Sequence, residues 1–239
     1  MTFGLSCQLP ENRLHGRWLF NEEISFDELA QTAGLAIENL ERVKSLNMAL
    51  LEKNLIGLFD PGNWLRSLIP ESAGIKLLQR PEEAREEKLS GWVYVDEMLG
   101  SFEPPPCLVL RPKSLVVGVG CKRGSTSTEI GKAIERVLRD KGLSPLAIRN
   151  LATVELKKDE DGLNELLRER GWSAVYYSVS ELEAGDQVPT PSEMVRKHLG
   201  VESVCEKAAI LSAETQELLI AKEILGNVTV AVARASSWW

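Results

Sequence analysis

The stretch SLVVGVGCKRGSTSTEI, residues 114–130, constrains the fold more than any other part of the chain. The apolar run from Leu115 to Val119 reads as a buried strand, and Gly118, Gly120 and Gly124 punctuate its exit. Thr126 and Glu129 stand three apart, the spacing of a capping box. Beyond them Ile130, Ala133, Ile134, Val137 and Leu138 recur at i, i+3, i+4, i+7 and i+8, so one helix face is apolar. A strand passing through a glycine turn into an amphipathic helix is the opening of an α/β module.

The rest of the chain extends this reading. Residues 1–24 show no sustained period and are expected to be a lead-in. Phe26, Leu29, Ala30, Ala33, Ile37, Leu40, Val43, Leu46 and Leu50 mark one or two amphipathic helices broken near Gly34. The short runs LIGLF, GIKLL, WVYV and CLVL follow as strands. Pro104–Pro106 and the RPK at 111–113 form a stiff connection, which puts a domain boundary beside Arg111 to Lys113. After it come ATVELK as a strand, a helix ending at Arg170-Gly171, the strand SAVYYSV and two further capping boxes at Thr190/Glu193 and Ser203/Glu206. LLIAKEI and VTVAVA close the chain as a β-hairpin through Leu225-Gly226-Asn227. The predicted fold is α/β, with two small α/β domains at 25–112 and 113–239. The C-terminal domain is a mixed sheet with flanking helices and the terminal hairpin.

Composition narrows the function. With 44% hydrophobic and 26% charged residues over 239 positions, the chain has globular composition and the length of one or two domains. Cys7, Cys107, Cys121 and Cys205 are far apart and the two histidines, His15 and His198, are isolated, so neither a zinc framework nor a disulfide lattice is expected. That points to a reducing, cytoplasmic setting. No apolar run reaches membrane-spanning length. A formal charge of −7 argues against nucleic acid as a partner. Pro104 to Thr128 is the exception: it has no acidic residue, while Arg111, Lys113, Lys122 and Arg123 give it +4 against −11 elsewhere. A basic window ending at a glycine loop suits a small anionic ligand.

Three readings compete for that loop: a nucleotide phosphate held there, a reactive thiolate at Cys121, or the carboxylates of another acidic ligand. The P-loop pattern fails because Ser125 stands where its lysine belongs, and the dinucleotide fingerprint fails because the spacing is GxGxxxG with no strand-end acid. Cys121 lacks a well-placed histidine base and reads as a packed residue. Carboxylates remain. Lys122 and Arg123 supply charge, Ser125, Thr126 and Ser127 supply hydroxyls and backbone donors, Gly118 and Gly120 let the backbone approach the ligand, and Gly124 permits the turn. In ATVELK a strand would place Glu155 and Lys157 on one polar face, with Glu155 as a candidate general base and Lys157 as a candidate substrate-binding residue.

Taken in order, LVLRPKSLVVGVGCKRGSTSTEI, LATVELKKDEDGL, VPTPSEMVRKHLGVESVCEKAAIL and LLIAKEILGNVTVAVA resemble the C-terminal domain of the CbiG family. These are the cobalt-precorrin-5A hydrolases of anaerobic cobalamin biosynthesis. The same domain resembles the stand-alone CobE-type protein of the aerobic pathway. SFDELAQTAGLAIENLERVKSLNMALLEKNLIGLF resembles the family's middle domain. Full-length members carry a further glycine-rich N-terminal domain, and nothing before Asp27 resembles it, so residues 1–24 are expected to be a remnant.

The resemblance implies opening of the δ-lactone of a cobalt-bearing, contracted tetrapyrrole with release of acetaldehyde. No cofactor is implied, because the cobalt belongs to the substrate, and no metal ligands are assigned. The expected partners are the corrinoid and other enzymes of the pathway, with neither nucleic acid nor membrane. A non-catalytic corrinoid carrier that needs a separate N-terminal domain is the alternative. Trp238 and Trp239 fit a packed or oligomer-facing end.

Overall fold

A computed structural model describes residues 25–70, 73–100, 107–184 and 203–235. The lead-in, the triple proline, the Thr190/Glu193 capping box and Trp238-Trp239 lie outside these residues. Two five-stranded sheets with helices on their faces make up the described chain.

The first sheet has the order β1-β5-β4-β2-β3, with β1 Leu35–Ile37, β2 Ile56–Phe59, β3 Ile75–Leu78, β4 Gly91–Val95 and β5 Cys107–Pro112. β2 to β5 are parallel and β1 is antiparallel on the edge. One face packs on α1 (Phe26–Thr32) and α2 (Val43–Leu51), burying Phe26, Leu46, Ile56, Leu58, Val93 and Leu108. The other buries Trp92, Tyr94 and Val109 beside α3 (Glu83–Glu86). The sequence pattern breaks the helix near Gly34 but counts Ile37 on a helical face beyond the break, whereas Gly34 turns left-handed at φ +65 and Leu35–Ile37 joins the sheet edge. A three-residue edge strand has too short a period to be told from a helical stripe.

The second sheet has the order β8-β7-β6-β10-β9, with β6 Leu115–Cys121, β7 Ile148–Val154, β8 Ala174–Tyr177, β9 Leu218–Leu225 and β10 Val228–Arg234. β6, β7 and β8 are parallel, and β10 runs antiparallel to both β6 and β9. Alternation along β6 splits its residues between two cores. Leu115, Val117 and Val119 pack with Ile130 and Ile134 of α4 (Ser127–Asp140) and with Leu163 of α5 (Asp161–Arg170). Val116 packs with Ala208 and Ala209 of α7 (Val204–Ala213), beside Leu182 of α6 (Val179–Ala184). β9 and β10 meet in a two-residue hairpin at Gly226 and Asn227. Among the described residues no helix is long and apolar enough to cross a membrane.

The sheets are joined end to end. After β4, residues Asp96 to Leu99 alternate between the two modules. The carbonyls of Asp96 and Met98 accept from Arg111 Nη1 at 2.9 and 2.6 Å. The Glu97 carboxylate takes Arg234 and the Ser114 hydroxyl, the Glu97 carbonyl takes Ser144 N–H at 2.9 Å, and Leu99 N–H donates to the Gly142 carbonyl. Arg111 is fully buried, ion-paired to Glu38 and 5.7 Å from the Tyr94 ring centroid. It therefore leaves the basic window and serves the junction between the modules.

Candidate functional site

β6 is the strand at which the second sheet changes direction. Chain leaving it crosses through α4 to parallel β7 on one side, while β10 returns antiparallel on the other. In open α/β sheets the crevice at the carboxyl end of such a strand is where ligands bind. Here that end is the loop Cys121 to Thr126.

The loop's conformation follows from its residues. Gly124 adopts φ +78, a conformation that side-chain-bearing residues rarely take. Lys122 N–H donates to the Asn227 carbonyl at 2.9 Å, tying the loop to the terminal hairpin. Ser125 is buried, and its hydroxyl and N–H both turn back to the Lys122 carbonyl, at 2.9 and 3.2 Å. The capping box forms as predicted: Thr126 N–H donates to the Glu129 carboxylate, and Thr126 Oγ1 accepts from Glu129 N–H at 3.2 Å. Buried Ser127 starts α4.

The loop donors read as ligand-facing are thus largely satisfied within the chain. Gly124 N–H donates to Glu160 Oε1 at 2.5 Å, and the other Glu160 oxygen pairs with Lys157 Nζ at 3.1 Å. The Gly124 N–H holds the Glu160 carboxyl below its ordinary range; burial opposes it, and Lys157 and Arg123 add to the lowering. The start of α5 is pressed onto the loop: a Cβ at Gly162 would lie 2.0 Å from the Ser125 carbonyl oxygen. Glu160 and Gly162 were missed as site residues in the sequence, where 159–161 reads only as a run of helix-start charge.

The predicted residues divide into three groups. Lys122 and Arg123 are exposed at the loop tip, and Glu155 is exposed on the turn after β7. Lys157 is turned inward to Glu160, its side chain 19% exposed. Glu155 and Lys157 do not share a strand face, because β7 ends at Val154 and Glu155–Lys157 is a single 3₁₀ turn.

Gly118 and Gly120 have a different geometry from the one predicted. A Cβ on Gly118 would stand 1.8 Å from the Cys205 carbonyl oxygen, so its bare face receives the backbone of α7. One on Gly120 would stand 2.5 Å from Thr229 Oγ1, the cross-strand neighbour. Cys121 is half-buried against the α4–α5 core, and burial pushes its thiol up despite Lys157 nearby. That placement agrees with a packed residue. The Ser203/Glu206 capping box does not form: Ser203 makes no side-chain cap, and buried Glu206 instead accepts from Lys222 N–H at 2.9 Å.

Known proteins match both modules. Residues 24–112 match the family model for the cobalamin biosynthesis central region, and residues 115–233 match the one for the cobalamin synthesis G C-terminus. The chain is 32% identical over 217 residues to a cobalt-precorrin-5A hydrolase of Priestia megaterium, covering 88% of this chain and 58% of that protein. It is 26% identical over 215 residues to the cobalt-precorrin-5A hydrolase of Salmonella typhimurium, covering 83% and 57%. Protein CobE of a Sinorhizobium species is 31% identical over 121 residues, half of this chain and 79% of that protein. The chain therefore spans under three fifths of these two hydrolases, and half of it matches most of CobE. With two consecutive family regions accounting for both sheets in order, the chain belongs to the CbiG family of cobalamin-biosynthesis proteins.

Proposed function

We propose that this chain carries out the reaction named for its hydrolase relatives, opening the δ-lactone of cobalt-precorrin-5A to give cobalt-precorrin-5B and acetaldehyde. The observation that carries the reading is the pair Lys122 and Arg123, exposed on a glycine loop at the carboxyl end of β6 in an otherwise acidic protein. Acetate and propionate side chains of the macrocycle pair with these two cations. Exposed Leu156, on the next strand-end turn, offers apolar contact to the ring. The cobalt arrives on the substrate. We place the protein in the cytoplasm, alongside other enzymes of the pathway.

In the chemical step water adds to the lactone carbonyl and the ring C–O bond breaks, leaving a carboxylic acid and an alcohol. Loss of the alcohol proton then breaks the neighbouring C–C bond, so that the carbinol carbon leaves as acetaldehyde while the electron pair stays on the macrocycle, which takes up a proton. Glu155 takes the proton of the attacking water, and a cation or backbone N–H steadies the oxyanion. Glu155 suits that role because, among the described residues, no hydrogen bond or ion pair engages its carboxylate. Acetaldehyde release from cobalt-precorrin-5A is the assay. Glu155→Gln is expected to lower the rate by about a hundredfold or more, within the range of general-base effects. A wild-type rate in that variant removes Glu155 from the chemistry.

Coverage of only 58% of the Priestia megaterium hydrolase favours a second reading, in which the chain holds a corrinoid and catalyses nothing without a separate N-terminal domain. Turnover by the purified chain alone excludes it. Binding without turnover, restored to turnover by a separate N-terminal domain, establishes it.

A further inference from the structure

The loop that sequence alone casts as an open anion site already holds a carboxylate from its own chain. Glu160 reaches the loop from 36 residues away, and it couples the Gly124 N–H to Lys157. Its side chain is 10% exposed and that of Lys157 is 19% exposed, so both are largely covered. Gly162 seals the same seam by setting α5 directly on the Ser125 carbonyl. The Gly124 turn is thereby gripped from two sides, by Asn227 through Lys122 N–H and by Glu160 through Gly124 N–H. Between the two grips lie Lys122 and Arg123, whose side chains remain exposed.

We infer that Glu160 is the positioning residue of this loop: its carboxylate occupies the Gly124 N–H and neutralises Lys157, fixing Lys122 and Arg123 as the cations that meet the substrate. The inference rests on the proposed reading of the loop as a corrinoid site, and it changes that reading in one respect. Lys157 leaves the set of substrate-binding residues and Glu160 enters the machinery without touching substrate. A carboxylate beside a site for anions repels them. If proximity of charge were its whole effect, or if it were a plug that the substrate displaces, removing its charge would tighten binding. A positioning role has the opposite sign, because loosening the turn releases two long cationic side chains whose ordering then has to be repeated on binding.

The test compares wild type, Glu160→Gln and Glu160→Asp, each first confirmed to be folded by circular dichroism and thermal melting. The binding probe is cobyrinic acid, a cobalt corrinoid with free carboxylates. Glu160→Gln is expected to weaken binding about tenfold, the effect of one charge-assisted contact, and Glu160→Asp to recover part of the loss. Equal or tighter binding in Glu160→Gln overturns the inference. A second readout needs no corrinoid: the Gly124 amide resonance in wild type should shift with pH below the ordinary glutamate range and lose that titration in Glu160→Gln. Absence of the titration in wild type also overturns the inference. If the titration is present but wild type binds no cobyrinic acid, the Glu160 grip stands and the corrinoid reading of the loop falls.

Discussion

Gly118→Ala tests the packing that separates the structure from the sequence reading of this strand. The added Cβ would lie 1.8 Å from the Cys205 carbonyl oxygen, where ordinary contact begins at 3.4 Å. The obstacle is helix backbone, so no rotamer change relieves it, and α7 must retreat from β6 by about 1.6 Å. A gap of even ~1 Å forfeits about half of the dispersion attraction across it. The interface that opens is the one formed by Val116, Ala152, Val154, Ala208 and Ala209. We expect a destabilisation of about 3 kcal/mol, the upper part of the usual range for overpacking. In a chain of this length that lowers Tm by roughly 6–12 °C. Gly120→Ala is the comparison. It meets only a threonine hydroxyl, at 2.5 Å, and its cost should be about 1 kcal/mol through the lost Thr229 hydrogen bond. Differential scanning calorimetry of both variants decides the matter. If Gly118→Ala melts with wild type, α7 does not lie on Gly118, and that glycine is again free to face a ligand.

Arg123→Ala should weaken corrinoid binding by roughly ten- to a hundredfold, since charge-assisted contacts contribute about 1.5–3 kcal/mol, while Cys121→Ser stays within about threefold because its thiol packs inward; isothermal titration calorimetry with cobyrinic acid measures both. Glu160 has a lowered pKa when folded, so its grip adds stability above the ordinary glutamate range and loses it as pH falls through the folded value. The gap in Tm between wild type and Glu160→Gln should therefore be full at neutral pH and shrink below about pH 4; a gap that does not change with pH contradicts the assignment. Arg234→Ala removes one partner of the buried Glu97 carboxylate and should cost about 1.5 kcal/mol. Adding Glu97→Gln should then cost less than the single changes summed, and strict additivity would show that the pair does not join the modules.

The legible parts of the fold were those written locally. The Thr126/Glu129 cap, the Gly124 turn, the left-handed Gly171 ending α5 and the two-residue hairpin at Gly226 each depend on residues within one turn of each other. What was not legible depends on distant contacts. The bare face of Gly118 is explained by Cys205, the acid that fills the loop by Glu160, and the loss of Arg111 from the basic window by Glu38, which is 73 residues away in sequence. The pattern of ATVELK misled for another reason. Its alternation is genuine as far as Val154, but one further polar-apolar-polar triplet fits a strand or a turn equally well.

The way the modules join bears on where the chemistry can sit. Strands β2 to β5 point their carboxyl ends at the second module, and Asp96 to Leu99, leaving β4, dock against Ser114, Gly142, Ser144 and Arg234 at the opposite end of β6 from the glycine loop. By the rule that ligands favour the carboxyl ends of parallel strands, each sheet begins with one candidate crevice. In the first sheet the backbone leaving β4 and the Arg111 side chain at the end of β5 are committed to the junction, and Arg111 is buried in holding it. In the second sheet the end of β6 carries Lys122 and Arg123 into solvent. β6 is seven residues long, so the junction and the loop are separated by about 20 Å at the usual strand rise. A substitution in the junction can thus reach the loop only through β6 and its partners. Arg234→Ala is accordingly expected to lower stability while leaving cobyrinic acid affinity within about twofold, as distant sites without shared partners behave independently. A large loss of affinity in a folded Arg234→Ala protein would place part of the corrinoid site at the junction.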